Sequence, residues 1–282
     1  MLEQRPLHLG RRLCNQQAEN GSWSAFQLRP GGSDTWTTSC CLRALEELKT
    51  QSEKNGKTLP WLDNAIAMGW KYLNKNKKIA SAIGFNSFTP NDADSSVWLC
   101  RALAARAYNS SAEEVHEIED QIYELLEYIK LHLSPEGNKI STYNMADKIL
   151  EFVNIEGNES AWLDGHDCVT ANAQALAKEL EINHQITISK PEKSYLKSLK
   201  NDNMPYWWDN SLFCKIILNE AKISRGTLPN RLTLRVPDHN DKTGSQTTYN
   251  SRNDTERSTA LDNGCFETCL RVINLLQIEG AD

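Results

Sequence analysis

Apolar residues recur along this chain at helical spacing, and no segment of alternating apolar and polar positions is long enough to read as a strand. Two kinds of helix can be told apart. "LDNAIAMGWKYLNKN", following Pro60, and "AEEVHEIEDQIYELLEYIKLHL", from Ala112, each carry an apolar stripe and a charged face, the pattern of a helix that meets water on one side. "DTWTTSCCLRAL" from Asp34, "DADSSVWLCRAL" from Asp92, "HDCVTANAQAL" from His166, "WDNSLFCKIIL" from Trp208 and "DNGCFETCLRVINLL" from Asp262 follow a second pattern. Each has an Asp near its first turn, then small or hydroxylated residues, then leucine-rich turns with little charged surface. Such helices suit an interior.

The inner-type segments begin at unequal intervals, with outer-type helices and loops rich in Gly, Asn, Asp and Ser between them, which reads as degenerate repetition of helix pairs. Five such units, joined by segment 1–17 and a helix expected near 140–153, predict an all-α (α/α) toroid formed by residues 1–282 as a single domain. The polar stretch 228–264 is expected to be a long loop and a candidate lid over the mouth.

Composition narrows the partners. With 282 residues, 39% of them hydrophobic and 24% charged, the chain can bury a sizeable core. A net charge of -6, with "NKNKK" at 74–78 the densest basic run, argues against a nucleic-acid partner. No run is apolar enough to span a bilayer, and "MLEQRPLHLGRR" lacks the apolar core of a signal peptide, so a cytoplasmic protein is expected. The 8 cysteines fall mostly where inner helices want small apolar residues, so they are read as packing thiols; adjacent Asp167 and Cys168 diverge by about 100° on a helix, a poor start for a zinc site.

Two carboxylates, Asp92 and Asp94, flank Ala93 at the front of the second inner helix. Either can cap the helix, and one cap suffices, which leaves the second free for proton transfer. Asp34, Asp167, Asp209 and Asp262 repeat the acidic start and, in a closed ring, would share one rim with a negative potential that attracts a cation, a metal or an amine-bearing substrate. Trp36 and Trp98 follow their aspartates closely, Trp207 and Trp208 precede Asp209, and His166 precedes Asp167. These aromatics read either as core or as faces that stabilise a carbocation.

"QAENGSW", Gln17 to Trp23, has the form Gln-x-x-x-Gly-x-Trp and resembles the QW motif of the squalene-hopene and terpene cyclase superfamily, whose protein prenyltransferase relatives share the toroid. In its proton-initiated branch a DxDD-type motif opens an inner helix, and "DADS" at 92–95 looks like it, with Ser95 in place of the last acid. The resemblance implies a cyclase of isomerase or lyase type in natural product biosynthesis. Asp94 would be the general acid with Asp92 its partner, acting on a small isoprenoid or other unsaturated molecule. Asp34, Trp36, Trp98, His166, Asp167, Trp207, Trp208 and Asp209 would line the substrate site. No cofactor is required on this reading, and Mg²⁺ is left open. Two other readings use the same features: a carbohydrate-active (α/α)-barrel hydrolase or lyase with paired carboxylates, and a non-catalytic toroid that binds a ligand or peptide.

Overall fold

A computed structural model describes residues 4–25, 27–28, 31–78, 81–134, 139–144, 149, 163, 165–183, 213, 216–217, 220, 246–248, 259–261 and 264–279. Among them are seven helices: α1 Gln4–Asn15, α2 Asp34–Lys54, α3 Pro60–Asn76, α4 Ala93–Ala107, α5 Ala112–Lys130, α6 Asp167–Asn183 and α7 Cys265–Glu279. Short antiparallel pairs join β1 Gln27–Leu28 to β2 Gly31–Gly32, β3 Ile140–Ser141 to β4 Gly165–His166, and β5 Gln246–Thr248 to β6 Thr259–Leu261. The fold class is all-α.

The expected division of the helices holds. In α2 every residue from Thr35 to Glu46 is buried, and in α4 every residue from Ala93 to Ala105. By contrast, α5 buries one stripe, Ile118, Ile122, Leu125, Leu126 and Ile129, at helical spacing. α2 packs between α4 and α7, and α4 between α2 and α6. On the outside, α1 lies on α7, α3 on α2 and α5 on α4. Each outer helix reverses the chain, so the inner helices run parallel and their amino ends share one side.

Local chemistry fixes where these helices begin. Asp92 caps α4, Pro60 occupies the first turn of α3, where its missing N–H costs nothing, and Ser111 with Glu114 forms a reciprocal capping box at α5. The segment between α1 and α2 is stapled by Gln17, whose Nε2 donates to the Gly21 carbonyl and to the Ala65 carbonyl of α3, both at 2.9 Å. Gly21 has φ +91, and a Cβ there would stand 2.3 Å from the Met68 carbonyl oxygen, so this turn requires glycine twice over. Trp23, fully enclosed, donates from Nε1 to the Leu13 carbonyl at 2.7 Å.

Some expectations are revised. The helix anticipated near 140–153 does not begin at 140: Ile140 and Ser141 pair with His166 and Gly165, and within that stretch Ile149 is helical. Backbone pairing to a distant strand there overrides helical periodicity. For the same reason the third inner helix starts at Asp167 rather than His166. Segment 1–17, expected to join the helix pairs, supplies α1, an outer helix against α7. Within 228–264, Gln246–Thr248 pairs with Thr259–Leu261; the lid reading and the closure of a complete ring lie outside the described residues.

Candidate active site

The first turn of α4 separates the two aspartates. Asp92 has extended backbone, and both of its carboxylate oxygens are taken by one residue: Oδ1 accepts from the Ser95 N–H and Oδ2 from the Ser95 hydroxyl, each at 2.7 Å. It is the helix cap. The residue standing where the resemblance expects a third acid is thereby the cap's partner. Ala93 donates its N–H to the Thr142 carbonyl at 2.8 Å, tying this turn to the stretch after β3.

Asp94 points inward instead. It is 8% exposed, and its Oδ2 accepts a 3.0 Å hydrogen bond from the Trp36 indole N–H of α2. Burial pushes its carboxyl up to about 6, while the Trp36 bond and the Asn172 amide of α6 pull it back. Asn172 is itself fixed, its Oδ1 accepting from Arg101 Nη1 at 2.7 Å. A carboxyl so held passes between its protonated and ionised forms near neutral pH, which a proton donor needs.

Beneath Asp94 lies an aromatic layer. The Trp36 ring is 4.7 Å from Phe266 of α7 and 6.2 Å, edge-on, from Trp98 of α4; Phe213 stands 6.2 Å from Trp98 and 6.3 Å from Phe266. Trp98 is fully buried, with the guanidinium carbons of Arg43 and Arg101 at 5.9 and 5.5 Å from its ring centroid. Those two arginines share Glu220: Arg43 Nη2 meets its Oε1 at 2.5 Å, and Arg101 Nη2 pairs with its Oε2. The arginines hold Glu220 ionised, below the ordinary carboxylate range, against the opposing effect of its burial.

The remaining expected site residues divide. Asp34 faces the rim loop, its Oδ1 accepting from the N–H groups of Thr35 and Ser87 at 2.7 and 3.2 Å, so it ties that loop to α2. His166 is buried in β4, its carbonyl accepting from the Thr170 hydroxyl at 2.7 Å. Asp167 opens α6, but its side chain, with Trp207, Trp208 and Asp209, lies outside the described residues. The structure thus brings together Asp94, Trp36 and Trp98. It adds Asn172, Arg43, Arg101, Glu179 and Glu220, none of which was singled out from sequence. Their signal was there: "CLRAL" and "LCRAL" put an arginine at the same register of two apolar helices.

No protein-family model matches the sequence, and no curated protein matches it. Solved structures do. A variant of the type II terpene cyclase MstE from Scytonema, in complex with its substrate geranylgeranyl dihydroxybenzoate, is similar at TM-score 0.57 and 18% identity, over 78% of this chain and 58% of that one. The chain has a terpene cyclase-like fold. Apo MstE agrees at TM-score 0.56 and 19% identity, over the same shares of 78% and 58%. A protein from Actinoplanes agrees at TM-score 0.56 and 18% identity, over 81% and 61%. The chain therefore spans about three fifths of the length of these solved structures. Among the described residues no helix is long and apolar enough to cross a membrane, and no three His, Cys, Asp or Glu side chains are placed to hold a metal ion.

Proposed function

We propose that the protein is a small cyclase of the proton-initiated, class II type, acting on an isoprenoid or similar unsaturated molecule with Asp94 as general acid. The observation that carries this reading is a buried carboxyl held near pH 6 above a layer of four aromatic rings, in a terpene cyclase-like fold. In the reaction, the Asp94 O–H adds its proton to one carbon of a substrate alkene, the π electrons form the new C–H bond, and the other carbon becomes a tertiary cation. A second alkene of the substrate attacks that cation and closes the ring. Water takes a proton from a carbon beside the last cation, the C–H electrons form the new alkene and end the sequence, and Asp94 regains its proton from solvent. Trp36 steadies the carboxylate left behind through its indole N–H, and its ring, with Phe266, offers π faces to the cation.

MstE binds a geranylgeranyl dihydroxybenzoate substrate and a merosterolic acid A product, which supports a prenylated substrate here. His166, Asp167, Trp207, Trp208 and Asp209 stay in this reading as the remaining lining. Asp92, with both oxygens engaged by Ser95, serves as cap and not as a second acid, which disfavours a carbohydrate mechanism needing two free carboxyls.

The test is incubation of the full chain with prenyl diphosphates and prenylated aromatic acids, with products followed by mass spectrometry. A cyclised isomer of unchanged mass is expected from one of them, and Asp94→Asn should reduce its formation by about 100-fold or more. No cyclised product from any substrate, or equal turnover by the variant, overturns the proposal.

A further inference from the structure

Residues 64–91, which run from α3 into the rim loop before α4, hold four lysines and no Asp or Glu, in a chain of net charge -6. Lys71 and Lys75 stand exposed one turn apart on α3, and Lys78, also exposed, lies just past its end. Lys78 Nζ donates to the Thr89 carbonyl of the loop and Lys77 Nζ to Gln121 of α5, so the run is seated between these two elements. The acids within reach are engaged elsewhere. Glu124 accepts from the Ser81 hydroxyl at 2.7 Å, Asp92 is sealed in the α4 cap, and Asp34 is tied to Thr35 and Ser87.

Beside this run the loop presents a phenyl ring to water. Gly84 pairs with Asn91 across its base, and the buried Asn86 accepts at Oδ1 from the N–H groups of Phe88 and Thr89 at 3.0 and 2.9 Å. Thr89 Oγ1 accepts in turn from the Asn86 N–H at 3.1 Å. The tip so braced leaves Phe88 78% exposed, and Leu131, at the carboxyl end of α5, is 69% exposed. The other large exposed side chains described, Tyr108 and Tyr123, carry hydroxyls. An apolar ring held in water by a rigid turn gains no packing there, the arrangement expected where an apolar phase covers it.

Both apolar tips lie at the Asp94 end of the molecule. The Gly84 and Phe85 carbonyls accept from the Thr35 hydroxyl and the Trp36 N–H at the start of α2, at 2.5 and 3.3 Å, and the Ile83 carbonyl accepts from the Asp92 N–H at 3.0 Å. Next to Leu131, the His132 carbonyl accepts at 3.0 Å from the N–H of Ser141, the residue before the Thr142 that holds Ala93.

We propose that this rim docks on an anionic membrane surface, with Phe88 and Leu131 entering the boundary between headgroups and acyl chains, Lys75 and Lys78 against the headgroup charges and Lys71 one turn above them. The combination selects this partner. Each lysine near such a surface is worth about fivefold in affinity, and burial of the phenyl ring about tenfold or more. A nucleic acid would meet the lysines but offer no apolar layer to the two tips. Docking involves no catalysis. On the cyclase reading it sets the face bearing Asp94 against the phase in which prenylated molecules dissolve, but vesicle binding needs no turnover, so the two proposals fail in different assays.

Co-sedimentation of the full chain with vesicles tests it, using phosphatidylcholine alone and phosphatidylcholine with about one third phosphatidylserine. Binding to the mixed vesicles is expected, weakened by added salt and by omission of the anionic lipid. Phe88→Ser should weaken it by about tenfold, and Lys71→Glu combined with Lys75→Glu by about 25-fold or more. All three positions are exposed, so these variants should keep the fold, and unchanged melting checks that. Phe88→Trp should add emission that shifts to the blue on the mixed vesicles, read as the difference from the parent chain. No partition into the mixed vesicles at low salt, equal partition into neutral ones, or unaltered partition in Phe88→Ser, as a soluble polyanionic partner of the lysines would give, overturns the proposal.

Discussion

The two ends of the same inner helices treat buried charge in opposite ways. At the amino end the described partners of Asp94 are neutral, the indole N–H of Trp36 and the amide of Asn172. At the carboxyl end Glu220 is held by two arginines and a glutamine. Burial raises the first acid to about 6; the second lies below its ordinary range although it too is enclosed. The contrast teaches that burial alone does not set acidity. A carboxyl next to neutral donors keeps its proton available, and one clamped by guanidiniums becomes a structural anion. Trp98 stands between the two regimes, with arginines along its ring on one side and aromatic neighbours on the other.

The comparison breaks most sharply at Arg101. Arg101→Met strands Glu179 and weakens the hold on Glu220, and should cost about 3–5 kcal/mol in urea unfolding; a loss under 1 kcal/mol would mean that the clamp carries no structural load. The opposite end should respond with the opposite sign. Because the folded-state value of Asp94 lies above the ordinary 3.8, the native chain holds a proton that the unfolded chain has released between about pH 4 and 6. Stability from this site therefore falls as pH rises through that window. Asp94→Asn should flatten that part of the profile and raise stability at pH 7 by up to about 3 kcal/mol, read from unfolding at a series of pH values.

Smaller effects sharpen the division of labour. Trp36→Phe keeps the ring and removes the N–H, so the Asp94 carboxyl should titrate about one unit higher by carbon NMR, at a cost of about 1–2 kcal/mol above pH 6. Asp92→Ala should cost about 1 kcal/mol, the usual worth of a cap, and leave the Asp94 titration where it was. A shift of that titration in Asp92→Ala would reunite the two aspartates as an acid and its tuner.

Much of the architecture was legible in the sequence because burial leaves a compositional trace: α2 and α4 lack a charged face and α3 and α5 keep one. The short β3–β4 pairing was not, since two-residue strands carry no periodicity of their own. The site was half legible. The acidic pair stood out, but which member caps and which turns inward depends on Ser95, whose hydroxyl claims Asp92, and on an indole 58 residues away in sequence. The ion-pair layer escaped notice because single charges in apolar helices read as surface. Only the shared depth of Arg43 and Arg101, each two turns or more beyond its helix start, gives them meaning as a pair.

The hydrogen bond from the Ala93 amide to the Thr142 carbonyl couples the residue between the two aspartates to the position just after β3, a strand paired with β4 at the front of α6. That single N–H is a built-in gauge. Its rate of exchange with deuterium oxide would time how often the turn bearing the acid detaches from its neighbour, without any substrate present.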